Sequence, residues 1–187
     1  MPQLTRPAAL ALVATALLLS ACTGQPPVVL PSPQSSTAPV FASDEEALAA
    51  AEVAYGEYLA ASASISSKER ADRSTIEDLV TVDYLEEVNE GLDSYEESDI
   101  FTDGVGQFDS LTLQQLDESL EGPVVVVVYL CLDLTDVRVV DKSGRDVTPS
   151  DRPNRVPLEV AFESVDRTSA LLIDSTELWT GVDFCDD

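Results

Sequence analysis

The side chains of this chain that could do chemistry are cysteines, carboxylates and tyrosines, because its 187 residues include no histidine. The three cysteines stand far apart, at Cys22, Cys131 and Cys185. Structural zinc takes four Cys or His ligands, so scattered thiols make a poor zinc site. The sequence also has no Gly-rich phosphate loop and no serine nucleophile elbow. It therefore predicts neither a metal nor a cofactor, and Cys22 is the reactive position that stands out.

Cys22 closes an apolar segment at the start of the chain. Arg6 and the amino terminus supply positive charge, residues 8–19 carry none, and Leu-Ser-Ala-Cys follows at 19–22. A run of this length suits the core of a secretory signal and is too short to span a bilayer. Its last four residues resemble the bacterial lipobox, in which a lipid, palmitate among its chains, is attached to the cysteine sulfur. We predict a signal peptide over 1–21 and lipidation of Cys22. An ordinary signal peptide with an incidental cysteine is the alternative.

The segment after Cys22 is uncharged and rich in Pro, Gln, Ser and Thr, with five prolines between residues 23 and 43. Such a composition cannot bury enough apolar surface to fold, and its prolines favour an extended chain. We therefore predict that residues 22–43 form a tether and that residues 44–187 form a single domain. The alternative is that the prolines form a docking ligand for another protein.

The charge of the chain is strongly negative. All 35 acidic residues lie at or beyond Asp44, and removal of Arg6 leaves nine basic residues, for a formal charge of −26. Nucleic acids and anionic membrane surfaces would repel such a chain, so the balance predicts that it binds neither. A solubilising acidic surface explains the charge, and a dedicated role in cation binding is the alternative.

With Cys22 assigned to lipid, Cys131 and Cys185 remain as an even pair. Outside the cytoplasm thiols oxidise, so the sequence predicts a disulfide between them. A loop of this length would stabilise the fold by about 4 kcal/mol in the chain-entropy model. Two reduced, buried thiols are the alternative.

Helical patterns come first along the domain. Ser43 and Glu46 form a capping box, and Ser74 with Glu77 forms a second. Thr81 caps a further amphipathic helix. The first helix is predicted to end at about Ser62, the second covers residues 74–80, and residues 64–73 are expected to form a loop.

Strand patterns follow from residue 101 onward. Alternating residues from Val124 to Leu134 form one entirely apolar face, which must face the core. The opposite face must be covered by the disulfide-bound C-terminus or by a second subunit. The predicted strands are Gly106–Leu116, Val124–Asp136, Pro157–Val165 and Ala170–Trp179.

Helices followed by long strands predict an α+β fold, in which N-terminal helices pack on a curved antiparallel sheet of about four strands. This order resembles the nuclear-transport-factor-2-like (cone, cystatin-like) superfamily. The lipobox and tether, with short phrases at 81–85, 131–133, 139–144, 151–153 and 179–185, look like actinobacterial lipoproteins with that cone. The resemblance implies a fold and no single activity, since members range from isomerases and dehydratases to binding and scaffold domains.

Enzymes of that superfamily place an Asp, often with His or Tyr, inside the cone as acid and base. The resemblance implies that a pocket here would use Asp133 and Asp174, with Tyr55, Tyr58, Tyr95 and Trp179 as its walls. A buried Asp can have a raised pKa and serve as a base. The plainer interpretation is that the carboxylates are solvated and the aromatic side chains are core.

One loop has oxygen ligands spaced around a glycine. Asp141, Ser143 and Asp146 flank Gly144, but the twelve-residue calcium pattern with its closing Glu is absent. The spacing favours a plain hairpin turn.

Taken together, these features predict a lipid-anchored protein on the extracytoplasmic face of the cell membrane, with a non-catalytic binding or structural domain in the cell envelope. The alternative is a small cone enzyme, an isomerase or dehydratase with Asp and Tyr as acid and base, acting on an apolar metabolite. The expected partners are the membrane, through the lipid on Cys22, and a protein, a small molecule or a second copy. An open cavity would favour a ligand, and a filled interior would favour protein association.

Overall fold

In the computed structural model, which describes residues 38–185, three α-helices precede the strands. They are α1 (Asp44–Ser66), α2 (Ser74–Glu77) and α3 (Val82–Glu97). No helix in this part of the chain is both long and apolar enough to cross a membrane. The predicted helical half of the domain is confirmed.

Two of the predicted helix caps are confirmed. Ser43 Oγ accepts a hydrogen bond from the backbone N–H of Glu46 at 3.3 Å. Thr81 Oγ1 accepts one from the N–H of Tyr84, also at 3.3 Å. Each bond satisfies one of the N–H groups that the first turn of a helix leaves unpaired.

The second helix differs from its prediction. Ser74 does not cap α2 with its side chain; instead its N–H donates to Asp72 Oδ1 at 2.9 Å. The helix ends at Glu77, because the chain beyond it straightens and Val80 forms a parallel bridge with Ile173. A short helix therefore leads directly into the edge of the sheet.

The first helix is longer than predicted. It continues past Ser62 to Ser66, because Ile65 in its last turn is 4% exposed and packs in the core. Only the remainder of the expected 64–73 loop is irregular. The extra turn places Ser66 on the same face of α1 as Ser62.

The predicted strands are confirmed as one four-stranded sheet. The strands between residues 38 and 185 are β1 (Ile100–Asp103), β2 (Gln107–Asp117), β3 (Val124–Asp133), β4 (Arg138–Asp141), β5 (Arg155–Ser164) and β6 (Leu172–Leu178). The sheet has the order β2-β3-β5-β6, with all neighbours antiparallel. Register shifts interrupt β2 after Asp109 and after Leu113, and Ser110 between them has a φ of 57°. Such bulges bend a strand and increase its twist.

A small second sheet was not predicted. β1 and β4 pair antiparallel, with Ile100 opposite Asp141. Each strand has only four residues, too few for an alternating pattern to be visible. The predicted strand 124–136 ends at Asp133, because the N–H of Val137 bonds to Leu134 O at 3.0 Å and turns the chain into β4.

The core lies between α1 and the predicted apolar face of β3. Tyr55 and two alanines of α1, Ala47 and Ala51, are buried there, and alanine lets a helix approach a sheet closely. Burying a valine or leucine side chain stabilises a fold by roughly 1.5–3 kcal/mol. The first four inward residues of β3 are fully buried, and Leu132 at its end is partly buried. The four are Val124, Val126, Val128 and Leu130.

The opposite face of β3 is covered by the end of the chain. Cys131 and Cys185 form a disulfide, with a Cα–Cα distance of 5.5 Å. The ring of Tyr129 lies 4.6 Å from that of Trp179 and 5.7 Å from that of Phe184, centroid to centroid. The C-terminal segment therefore covers this end of β3.

The packed part of the chain begins before residue 44. Glu118 Oε1 accepts the backbone N–H groups of Val40 and Phe41 at 2.6 and 3.0 Å. The Phe41 side chain is 2% exposed and belongs to the core. The end of the expected tether is thus part of the folded unit, whereas Cys22 and the rest of the segment up to residue 37 lie outside the described residues.

Because Phe41 is buried, we expect Phe41→Ala to lower the free energy of unfolding by about 3–5 kcal/mol. Urea unfolding followed by circular dichroism would measure the loss. Val53→Ala is the matched control, since Val53 is 62% exposed on α1 and its change should stay within about 0.5 kcal/mol. Equal, small effects of both substitutions would show that residues 38–43 do not stabilise the domain.

Candidate functional site

Asp133 lies on the outer face of the sheet and not in its interior. Its Oδ2 is 3.3 Å from the Arg155 guanidinium, and its Oδ1 accepts the N–H of Thr135 at 2.8 Å. The hydrogen bonds from Thr135, and then the charge of Arg155, hold the pKa of Asp133 below its ordinary value. A carboxylate that is ionised and paired in this way is a poor general base.

Arg155 ties this outer face together. Besides Asp133, it binds Asp109 at 2.7 Å and donates from Nε to the carbonyl of Cys185 at 2.9 Å. One guanidinium thus joins β2, β3 and the C-terminal segment. Trp179 lies on the same face, where its Nε1 donates to Val182 O at 3.1 Å. Asp133 and Trp179 therefore contribute to the attachment of the C-terminus.

Asp174 lies elsewhere, at the β6 edge. Its Oδ1 accepts a hydrogen bond from the Thr81 hydroxyl at 2.8 Å, and Thr81 also caps α3. This pair fixes the start of α3 against β6. Burial, and then the charge of Asp174, raise the pKa of the nearby Glu163. These carboxylates line an acidic edge of the sheet, and no Lys or Arg is among the described residues that line the pocket there.

The expected tyrosines separate into core and groove. Tyr55 is buried and its ring meets that of Phe108 edge-on at 5.0 Å. Burial raises the pKa of Tyr55 far above its ordinary value, so it is a neutral core residue. Tyr58 and Tyr95 line an open groove instead. The six residues expected in one pocket thus occupy the outer face, the sheet edge, the core and this groove, which is a correction to the predicted acid–base site.

The groove runs between α1 and α3 and has a volume of about 310 Å³. We call it the α1–α3 groove. Its volume is at the lower end of the range for small-molecule sites. Ile76, Val88 and Leu92 supply an apolar lining, and Gly91 has open space where a side chain would project. The polar and aromatic lining residues are Tyr58, Ser62, Ser66, Tyr84, Glu87, Tyr95 and Thr102.

Helical spacing places these side chains together. Tyr58, Ser62 and Ser66 recur every four residues and so share one face of α1. On α3, Tyr84 and Tyr95 are eleven residues apart, about three turns, and face the same groove. The cap at Thr81 and its bond to Asp174 set where this face of α3 begins.

Two hydroxyl groups by the groove lack partners among the residues that the structure describes. Ser62 Oγ is buried beside the Tyr58 hydroxyl and makes no hydrogen bond of normal geometry. Thr176 Oγ1 is buried beside the Tyr84 hydroxyl in the same way. A buried polar group without a hydrogen bond is costly, so each of these groups is expected to pair with its adjacent tyrosine hydroxyl.

The hydroxyls of Tyr58 and Tyr84 stay protonated at neutral pH. Burial and the neighbouring Tyr84 raise the pKa of Tyr58 to about 12. Burial also raises the pKa of Tyr84, and the charge of Glu87 acts on both tyrosines in the same direction. The groove therefore offers hydroxyl donors, aromatic faces and one carboxylate.

Tyr84, Ser62 and Glu87 were not among the residues predicted from sequence. Tyr84 precedes the apolar stripe of α3 by one position, and the register of the helix alone could have placed it beside that stripe. The four-residue spacing of Tyr58, Ser62 and Ser66 was visible, but small polar residues on a helix are ordinary. No sequence signal indicated that this face of α1 meets α3.

The loop considered for calcium is a turn. Asp141 Oδ1 accepts the N–H groups of Ser143 and Arg145 at 2.9 and 3.1 Å, and Asp146 Oδ1 accepts the N–H of Thr148 at 2.9 Å. These carboxylates satisfy backbone groups of the loop itself. Among residues 38–185, no group of three or more His, Cys, Asp or Glu could hold a metal ion.

No family model matches this chain, and no curated protein matches it. Its fold is similar to the solved intermembrane space region of the chloroplast protein ARC6, with a TM-score of 0.51 at 10% identity. That match covers 70% of this chain and 95% of the other. A periplasmic fragment of TraM matches with a TM-score of 0.46 at 13% identity, over 73% of this chain and 96% of the fragment. Membership of the nuclear-transport-factor-2-like superfamily stays a prediction.

The turn at Asp141 generates a pH prediction. Hydrogen bonds from Ser143 and Arg145 lower the pKa of Asp141 to about 2, whereas an unfolded Asp titrates near 3.9. The stability from this carboxylate is therefore fully present above about pH 4 and is lost as the pH falls toward about 2. Asp141→Asn should unfold at lower urea than the parent near pH 6, and the difference should shrink between about pH 4 and 2.

The control for this measurement is Asp136→Asn, which removes the same charge from an exposed position. It should cost less stability near pH 6 than Asp141→Asn. A difference between Asp141→Asn and the parent that stays constant from about pH 6 to 2 would show that the carboxylate bonds do not stabilise the turn.

Proposed function

We propose that this chain is a lipid-anchored protein of the cell envelope whose domain works outside the cytoplasm as a non-catalytic binding module. The observation that carries the proposal is the α1–α3 groove, which is open and lined by tyrosines, small hydroxyl side chains and one carboxylate. Concave sites with an apolar lining and a few polar groups are typical of ligand binding.

The chemistry of the groove favours binding over catalysis. Asp133 is paired with Arg155 and Asp174 with Thr81, so neither expected carboxylate is available to a substrate in the groove. Tyr58 and Tyr84, which line it, have raised pKa values and stay protonated at neutral pH, so they are poor general bases there. Efficient acid–base catalysis needs a group with a pKa near the working pH, held within reach of the substrate.

Two features support the extracytoplasmic place. The first is the lipobox at residues 19–22. The second is the disulfide between Cys131 and Cys185, since disulfides persist mainly in oxidising compartments. An extracytoplasmic location is also compatible with the fold that this chain shares with the intermembrane space region of ARC6. Two acyl chains give stable membrane anchoring, which a single chain does not.

The lipid anchor is tested by Cys22→Ser. We expect the variant to lose labelling by a palmitate analogue and either to keep its signal peptide or to leave the membrane fraction, because serine offers no sulfur for a thioether. Cell fractionation and immunoblotting of the apparent mass would measure this. A Ser20→Thr variant, which keeps the cysteine, is the control. A Cys22→Ser protein of normal size in the membrane fraction would overturn the anchor.

The binding groove is tested by filling it. Gly91→Leu places a side chain into open space of the groove, and Ser94→Leu adds the same side chain to α3 outside it. In a fragment screen by ¹⁵N NMR, shifts of wild-type protein should concentrate at residues lining the groove. Gly91→Leu should weaken those fragments more than about tenfold, because it occupies their volume.

Ser94→Leu should bind the fragments of that screen as the wild type does, with thermal unfolding confirming that both variants fold. Fragment contacts confined to other surfaces, or equal affinity in Gly91→Leu, would show that the groove is not the binding site.

A further inference from the structure

We infer that the α1–α3 groove binds a small organic ammonium ion, an inference that rests on the proposed function of the groove as a binding site. The ligand class follows from three features of the lining: its charge, its aromatic side chains and its hydroxyl groups. A neutral apolar ligand would use only part of this lining, and an anion would be opposed by it.

The charge of the groove is negative. Glu87 is the one charged residue among its lining side chains, and no Lys or Arg lines it. The whole chain carries a formal charge of −25, which repels anions and raises the local concentration of cations. Phosphate, sulfate and carboxylate ligands are therefore disfavoured, whereas a cation meets both the local carboxylate and the overall field.

The aromatic faces are suited to a cation. Three tyrosines, Tyr58, Tyr84 and Tyr95, line the groove together with Glu87. A tyrosine ring attracts a cation through its quadrupole, and several rings together form the cages that hold quaternary ammonium groups. The same protein already uses this contact, since the Arg70 guanidinium lies 4.8 Å from the centre of the Phe101 ring.

Two basic side chains line an adjoining pocket, and both are paired with carboxylates. Arg73 binds Asp93 at 2.6 Å and Glu96 at 2.8 Å, and Arg70 lies 3.4 Å from Glu96. Both arginines line the neighbouring pocket beyond Tyr95. Because their carboxylate partners hold them there, these arginines leave the groove without a cation of its own.

Small hydroxyl side chains complete the lining of the groove. Ser62, Ser66 and Thr102 all border it, so a ligand with a hydroxyl or amine group on a short arm meets a polar wall while its cationic head lies on the tyrosines. The volume of about 310 Å³ accommodates a ligand of that size and excludes a folded partner.

Choline is the probe that tests the inference, with 3,3-dimethyl-1-butanol as its neutral isostere. The full chain in nonionic detergent micelles would be examined by saturation-transfer difference NMR and isothermal titration calorimetry. We expect choline to bind at least about tenfold more tightly than the isostere, because only choline carries the charge that Glu87 and the rings attract. Gly91→Leu should abolish the choline signal and so defines the background.

Charge-matched variants separate the groove from the general field of the protein. Glu87→Gln and Tyr95→Leu should each weaken choline roughly three- to tenfold. Glu90→Gln removes the same charge as Glu87→Gln from an exposed position of α3 outside the groove, and its affinity should match that of the wild type.

Several results would overturn the inference. Equal binding of choline and its isostere would show that charge is not recognised, and equal losses in Glu87→Gln and Glu90→Gln would assign the attraction to net charge. Choline binding retained in Gly91→Leu would place it elsewhere. If choline does not bind but fragments of the screen do occupy the groove, the ammonium ligand is rejected and the binding function stands. Only a screen in which no fragment contacts the groove would reject that function.

Discussion

The close packing of α1 on the inner face of β3 is the contact on which the rest of the structure depends. Four consecutive inward residues of β3, from Val124 to Leu130, are fully buried against a helix whose facing residues include Ala47 and Ala51. Small side chains on the helix and branched ones on the strand allow a close approach at native density. The second half of α1 then carries Tyr58, Ser62 and Ser66 to the groove beside α3.

Because this interior is filled, the space for a ligand lies beside the core rather than within it. Tyr55 and Phe162 are both fully buried between the helices and the sheet. The open volume lies between α1 and α3, where Gly91 has no side chain to fill it. The position of α3 in turn depends on Thr81, which caps the helix and bonds to Asp174 of β6.

The charged groups of the protein show how environment decides the role of a carboxylate. Asp133 and Asp174 are both strand residues in an acidic chain, yet one anchors the C-terminal segment through Arg155 and the other anchors a helix through Thr81. Glu87, which the sequence pattern did not distinguish from its neighbours on α3, is the carboxylate that faces the groove. The functional difference among these groups comes from their partners and not from their residue type.

The sequence by itself determined what local rules govern: the α+β order, the caps at Ser43 and Thr81, the buried face of β3 and the pairing available to Cys131 and Cys185. Each of these depends on short-range patterns along the chain or on the number of cysteines. A single sequence is therefore enough to predict them. Only the tertiary structure decided which surfaces meet. Three contacts join residues far apart in the chain. β1 pairs with β4, the N–H of Phe41 bonds to Glu118, and α1 and α3 form the groove between them. Such contacts depend on the relative placement of whole elements, which no local pattern records.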